Sequence, residues 1–201
     1  MSIVIASNNC KKVSDIINIL NYNNINAVTQ NKFKVPSIKE TGLTFVENAI
    51  LKARNTCQYT GMATLSDDSG IIVDALNGNP GIYSARFCGP NATDNDNILK
   101  LLDLLSKIPY EKRDAKFHCV MVFLQSVRDT TPIICQGSWS GKITFRPVGH
   151  NGFGYDPIFF IPQYHCTAAQ LSPCVKNKIS HRAQALNNII VKLKMLHDNT
   201  Q

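Results

Sequence analysis

Two adjacent carboxylates, Asp67 and Asp68, lie in Ser66-Asp67-Asp68-Ser69-Gly70, between the apolar runs Ala63-Thr64-Leu65 and Ile71-Ile72-Val73. Paired charges in apolar surroundings are costly unless cations neutralise them. In an extended segment, neighbouring side chains point to opposite faces. One carboxylate would then face a site and the other the scaffold, with Mg²⁺ the natural partner for the first. The competing reading is an Asp-rich β-turn closed by Gly70.

Three more segments carry chemical potential. Ser7-Asn8-Asn9-Cys10-Lys11-Lys12 stands where an apolar run meets a helical pattern. Amides at a helix N-terminus attract anions, and Asn and Lys side chains add donors. The Walker A pattern is absent, so a phosphate site here would not be a P-loop; the alternative is an ordinary N-cap turn. Gly152-Phe153-Gly154-Tyr155-Asp156-Pro157 sets an aromatic ring between two glycines. That permits close backbone approach and displays the ring for base stacking, against the alternative of a β-turn with a core Phe. The order of glycines does not match the dinucleotide fingerprint. Ser180-His181-Arg182 opens a helical pattern, with Ser180 as a good N-cap. A basic pair there opposes the helix dipole, so either these side chains donate to a purine carbonyl or they form a solvent-exposed turn. Glu40, Glu47 and Lys52 read locally as solvated charges, since Lys52 is five residues past Glu47 and off the ideal i,i+4 spacing.

The elements that must position these residues follow from periodicity. Ile3-Val4-Ile5-Ala6 reads as a buried strand, and Lys11 to Tyr22 as a helix with Val13, Ile16, Ile17 and Leu20 on one face. Ala27 to Thr29 is a candidate strand, and 31–43 a loop broken by Pro36 and Gly42. Thr44 and Glu47 form a capping box for a helix over Phe45–Tyr59, which Gly61 stops. A third helix is expected over Thr93–Ser106, with Ile98, Leu101, Leu102 and Leu105 inward. Ala115–Leu124, Pro132–Ser138 and Lys142–Arg146 read as strands, with a hairpin near Gly141. Gly149–Asp156 is a glycine-rich loop, and a final helix is expected over Ser180–His197. Mixed strands and helices imply an α/β or α+β domain around a mixed sheet.

The bulk numbers agree. The 201 residues are 44% hydrophobic and 17% charged, and a chain of this size buries roughly 70% of its unfolded surface in one sizeable core. One domain over 1–201 is expected. The net charge of +7 reads first as a Lys-rich surface and also suits a polyanionic substrate, while no dense Lys/Arg run interleaved with aromatics marks a nucleic-acid partner. The seven Cys contain no C-x-x-C, which fits free thiols in a reducing compartment. No apolar run reaches the ~18 residues of a membrane span, and Met1–Ala6 is too short for a signal peptide. A cytoplasmic protein without membrane or nucleic-acid partners is the expectation.

In this order the motifs resemble the inosine triphosphate pyrophosphatase family, in its bacterial branch acting on dITP and XTP. The resemblance spans nearly the whole chain: Ser7–Lys12, Glu40-Thr41-Gly42-Leu43-Thr44-Phe45, Glu47-Asn48-Ala49 with Lys52-Ala53-Arg54, Ser66–Gly70, Pro80-Gly81-Ile82-Tyr83-Ser84-Ala85-Arg86, Phe153-Gly154-Tyr155-Asp156 and Ser180-His181-Arg182. It implies an α/β fold, an elongated mixed sheet flanked by helices, with two lobes, a substrate cleft between them, and a homodimer. It implies that Ser7, Asn8, Asn9, Cys10, Lys11, Lys12 and Lys52 bind a triphosphate. Glu40 and Asp68 would hold Mg²⁺, with Asp68 also the catalytic proton acceptor, and Ser69 would touch the substrate. Phe153 would stack on the base in the Gly154-Tyr155 loop, while Asp156, Lys176, His181 and Arg182 line its pocket. The implied reaction converts dITP, ITP or XTP to monophosphate and pyrophosphate, removing deaminated purines from the nucleotide pool.

The chain departs from that family at three places. Asn8 stands where Gly is frequent, which would stiffen the turn or demand positive φ. Lys39 replaces an acidic residue before Glu40, and Cys174-Val175 precede Lys176 where charges are common. Two other functions stay open at this level: a pyrophosphatase for pyrimidine nucleotides, and a non-catalytic binder of nucleotides or nucleic acid. The second fits poorly, because Asp67, Asp68 and Glu40 give an anion binder nothing without a metal.

Overall fold

A computed structural model describes residues 2–198. The N-terminal apolar run is strand β1 (Ser2–Ala6), followed by helix α1 (Cys10–Tyr22) and strand β2 (Asn26–Thr29). Helix α2 (Phe45–Thr60) starts at the expected capping box, with Thr44 and Glu47 bonding reciprocally, and ends at Gly61 in the left-handed region. Strand β3 (Thr64–Val73), helix α3 (Asp94–Leu104) and the long strands β4 (Asp114–Leu124) and β5 (Ile133–Ile143) follow. The C-terminal part holds β6 (Phe159–Ile161), β7 (Cys166–Thr167), α4 (Pro173–Ile179) and α5 (His181–Asp198). The hydrogen-bonded strand order is β2-β1-β3-β4-β5-β6-β7. β1 runs parallel to β2 and β3, and β6 runs antiparallel to β5 and β7. The sheet is therefore mixed and the class α/β, as expected.

The chain forms two compact units. The first holds the chain up to Asp68, Cys119–Gly137 and the chain from His181; the second holds Ser69–His118 and Ser138–Ser180. In the first unit, alternate residues of β4 feed opposite faces, as a period of two dictates. Cys119, Met121 and Phe123 join Ile3, Ile5 and Leu65 under α1 (Val13, Ile16, Leu20) and α5 (Leu186, Ile189, Ile190). Val120, Val122 and Leu124 pack against Ala49 and Ala53 of α2. In the second unit Ile71 and Val73 of β3 share a core with Ile98 and Leu101 of α3, Trp139 and Ile143 of β5, and Phe159. The Phe159 ring lies 4.5 Å from Phe117 and 5.5 Å from Trp139, centroid to centroid.

The structure decides between the readings left open. Ser66–Gly70 is extended, as the alternation of Asp67 and Asp68 requires, and not a turn; Thr64–Val73 is one strand. No hairpin occurs near Gly141, because Ile133–Ile143 is continuous. This glycine serves close packing instead: an added Cβ would lie 2.8 Å from Phe159 Cζ, and a strand-interior Gly marks such an approach as readily as a turn. The final helix is borne out as α5, and a short helix not expected from the sequence, α4, precedes it, with Ser180 extended between them (φ −66°, ψ 158°).

One buried charge is structural. Arg113, 1% exposed, donates from Nε to Ile108 O at 2.9 Å, from Nη1 to Thr144 O at 2.9 Å and from Nη2 to Leu105 O at 2.5 Å. Its guanidinium stacks 4.1 Å from the Phe145 centroid. It thus satisfies carbonyls at and just beyond the end of α3, where a cation also suits the helix dipole. Arg113→Met is expected to destabilise the protein by about 2–4 kcal/mol, since three carbonyls each lose a charged donor. Urea unfolding with a loss below about 1 kcal/mol would show that water replaces those bonds.

Candidate active site

The alternation of β3 separates the two carboxylates. Asp67 accepts from Lys12 Nζ at 3.0 Å and lies 4.0 Å from Arg182 Nη2. Asp68 Oδ1 accepts from Lys52 Nζ at 2.8 Å, and the same ammonium donates to Glu40 Oε1 at 2.9 Å. Lys52 therefore stands between two carboxylates that are far apart in sequence. The start of α2 sets this arrangement. Asn48 Oδ1 accepts from Gly42 N at 2.8 Å and Glu47 Oε2 from Leu43 N at 2.8 Å, which pins the segment just after Glu40. Ser66 Oγ donates to Ala49 O at 2.6 Å and ties β3 to the same helix. Glu40 and Lys52 are thus not ordinary solvated charges, while Glu47 is spent on the cap.

The two aspartates are electrostatically opposite. Burial pushes both upward. At Asp67 the charges of Lys12, Arg182 and Lys52 outweigh burial and leave the carboxyl well below the usual range. At Asp68 burial wins over Lys52, with Glu40 adding to it, and the carboxyl is raised. Burial pushes Lys52 downward, but Asp68, Asp67 and Glu40 reverse this and raise it. Asp67 is a fixed anion. Asp68 is raised, and its Oδ2 is buried with no hydrogen-bond partner among the described residues.

The Ser7–Lys12 segment divides its labour. Asn9 is the N-cap of α1, its Oδ1 accepting from Lys11 N and Lys12 N at 3.1 Å each. Ser7 Oγ accepts from Asn9 N at 3.3 Å. Asn8 accepts from Gln30 Nε2 at 2.7 Å and donates to Ser37 Oγ at 3.3 Å. It does not need positive φ, which among non-glycine residues falls at Asn24, Lys34, Asn77 and His165. Its side chain anchors the turn that a Gly would leave loose. Cys10 and Lys11 are exposed, as is Lys39.

The second unit assembles the aromatic loop. Asp156 is buried and its Oδ2 accepts from Phe153 N at 2.8 Å and from Lys176 Nζ. Lys176 Nζ stands 5.0 Å from the Phe153 ring centroid. Phe153 itself is half-buried, not a core residue. Gly152 has φ +77°, and a Cβ there would collide with Asp156 Oδ2, so the loop requires glycine at this point. Tyr155 turns inward, its hydroxyl donating to Ser84 O at 2.8 Å. Ser69 follows Asp68 on β3 and is partly exposed.

His181 and Arg182 are 5% and 2% exposed, which overturns the solvent-exposed turn. Arg182 Nη1 donates to Asp15 Oδ2 at 3.2 Å. The structure thus places Arg182 with Asp15 and Asp67 in the first unit, and Phe153, Asp156 and Lys176 together in the second. Sequence reading missed Asp15 and Asn48, whose roles depend on tertiary partners, and Asp94, which donates no local pattern beyond a helix start. Among the described residues no group of three or more His, Cys, Asp or Glu could hold a metal, and no helix is long and apolar enough to cross a membrane.

Comparison with known proteins closes the case for descent. A dITP/XTP pyrophosphatase of Vibrio cholerae is 49% identical over 187 residues, covering 93% of this chain and 94% of that protein. One from Escherichia coli K12 is 48% identical over 192 residues, covering 96% and 98%. The solved HAM1 protein of Coxiella burnetii superposes with a TM-score of 0.90 at 46% identity, covering 97% and 99% of the two chains. The Staphylococcus aureus Ham1 protein gives 0.85 at 41%, covering 96% and 98%. The model of the Ham1 family matches residues 3–192, nearly everything just described, and this chain belongs to that family.

Proposed function

We propose that the protein hydrolyses non-standard purine nucleoside triphosphates, dITP, ITP and XTP, to monophosphate and pyrophosphate. The observation that carries the reading is the Glu40–Lys52–Asp68 cluster, with Asp68 Oδ2 buried and open. Similarity to dITP/XTP pyrophosphatases at about half identity supports the substrate class.

The residues fit a divalent cation. An ammonium already satisfies the same two carboxylates, and Mg²⁺ asks for only one or two, completing its shell with water and phosphate oxygens. Glu40 and Asp68 would hold it. When bound, Mg²⁺ supplies charge neutralisation on the phosphates and orients them. Ser7, Cys10, Lys11 and the backbone of Asn8 and Asn9 bind the phosphates, with Lys12 and Lys52 offsetting their charge. Asp68 takes a proton at Oδ2 from the attacking water. The water oxygen bonds to the α-phosphorus, the bond from that phosphorus to the bridging oxygen breaks, and pyrophosphate leaves. Ser69 lies beside this carboxylate. Phe153 stacks on the base, Gly154 and Tyr155 shape its loop, and Asp156, Lys176 and His181 meet its polar edge. Incubating dITP and Mg²⁺ with the protein and separating products by chromatography tests this. Monophosphate plus pyrophosphate is expected; diphosphate plus orthophosphate would refute it.

Arg182 has two readings. As a donor to the purine 6-carbonyl, it favours hypoxanthine and xanthine over adenine. The pairing with Asp15 and Asp67 favours a second role, neutralising Asp67. Arg182→Ala separates them. Loss of a charged hydrogen bond worth about 1.5–3 kcal/mol would cut kcat/KM for dITP roughly 10- to 150-fold and spare dATP. Equal losses for both nucleotides would assign Arg182 to Asp67 alone.

A further inference from the structure

The Phe153 ring is gripped through the two backbone amides on either side of its own carbonyl, and each amide is held by a different carboxylate. Phe153 N donates to Asp156 Oδ2 at 2.8 Å, within the loop, and Gly154 N donates to Asp94 Oδ2 at 2.8 Å, 60 residues away in sequence. Asp156 is buried and already engaged by Lys176. Asp94 is exposed, the first residue of α3. The loop needs such support, because Gly149, Gly152 and Gly154 all have positive φ, and glycine backbones lose the most freedom on being fixed. One grip leaves rotation about the Phe153–Gly154 peptide; two opposed grips remove it.

Asp94 is not required to start its helix. Thr93 and Asp96 form a complete capping box: Thr93 N donates to Asp96 Oδ2 at 2.8 Å and Asp96 N to Thr93 Oγ1 at 3.2 Å. The Asp94 carboxylate can therefore hold the loop without costing α3 its cap. We infer that Asp94 is a positioning residue for the base-stacking ring, holding Phe153 in its binding orientation through the Gly154 amide. This rests on the proposed stacking of Phe153 on the base.

The consequence is a binding effect without a chemical one. A ring that stacks equally on ground state and transition state contributes uniform binding, which appears in KM and not in kcat. Asp94→Ala is expected to raise KM for dITP roughly three- to tenfold, the range of one hydrogen bond, with kcat unchanged within about twofold. Asp94→Asn keeps an acceptor oxygen and is expected to stay within about twofold of wild type in both. The deciding measurement is a double-mutant cycle with Phe153→Ala. If Asp94 acts through the ring, Asp94→Ala adds nothing once the ring is gone. The same KM increase in the Phe153→Ala background, a fall in kcat, or failure of Asp94→Asn to restore KM would each overturn the inference while leaving the stacking role intact. If Phe153→Ala itself leaves KM unchanged, stacking fails and the inference falls with it. Thermal melts of wild type and the four variants exclude a folding defect, since Asp94 is exposed and its helix keeps its cap.

Discussion

Asp68→Asn is expected to keep its fold and lose nearly all turnover. In the proposed mechanism the carboxylate oxygen that has no hydrogen-bond partner, Oδ2, receives the proton, and an amide cannot accept it. The loss should reach the ~10²–10⁴-fold of general-base catalysis. Stability should move little. A buried carboxyl raised above its unfolded value contributes stability only below its unfolded pKa and loses it as pH rises. Removing it therefore relieves the folded state at neutral pH. Against that, Lys52 keeps only Glu40 of its two bonded partners. These effects oppose, so Tm should shift by less than about 5 °C. A well-folded variant with more than about a tenth of wild-type kcat would remove Asp68 from the base role.

Its neighbour should behave in reverse. Asp67→Asn leaves the Lys12 ammonium and the buried Arg182 guanidinium without the anion between them. Breaking a buried ion cluster on one side costs about 3–5 kcal/mol, on the order of 10 °C in Tm for a chain of this size. The pH dependence carries the signature. A carboxyl held below its unfolded value stabilises above that value, about pH 4, and the stabilisation drains away as pH falls through the folded value. Wild type should lose stability steeply on acidification below about pH 4, and Asp67→Asn should show a flatter acid limb. Parallel acid limbs for the two proteins would mean that Asp67 is not the anion holding this cluster. Adjacent residues of one strand thus separate into one change that stops chemistry and one that weakens the scaffold.

The sequence made this contrast legible only in part. Alternation along a strand predicted opposite faces for Asp67 and Asp68, and the structure bears that out once Ser66–Gly70 is extended. Local sequence could not exclude a turn, because Asp, Ser and Gly are also turn formers. Helix α2 was legible to within a residue, since Thr44, Glu47 and Gly61 are local signals with local bonds. Glu40 and Lys52 were not, because their bonds to each other and to Asp68 are tertiary and leave no periodic trace. Gly141 misled for a related reason: the same residue serves a turn or a tight aromatic contact. Strands β6 and β7 have only three and two residues, too few to establish a period, and helix α4 has seven. The aromatic loop was visible from Gly152 and Gly154, while the carboxylate that holds Gly154 lies on another element and was invisible.

The way the chain threads its two units also orders its birth. Three separate stretches make up the first unit, and α5 contributes Leu186, Ile189 and Ile190 to the same core as Ile3 and Ile5. The second unit ends at Ser180. On a ribosome, where domains form as their segments emerge, the Ser69–Ser180 portion has every residue it needs before the core of the first unit can close. Strand β1 and helix α1 must wait for α5, so the faces of Ile3, Ile5 and α1 that meet Leu186, Ile189 and Ile190 stay uncovered until then. A nascent chain stalled before α5 would carry a complete second unit and an exposed apolar surface on the first, the kind of surface on which holding chaperones act.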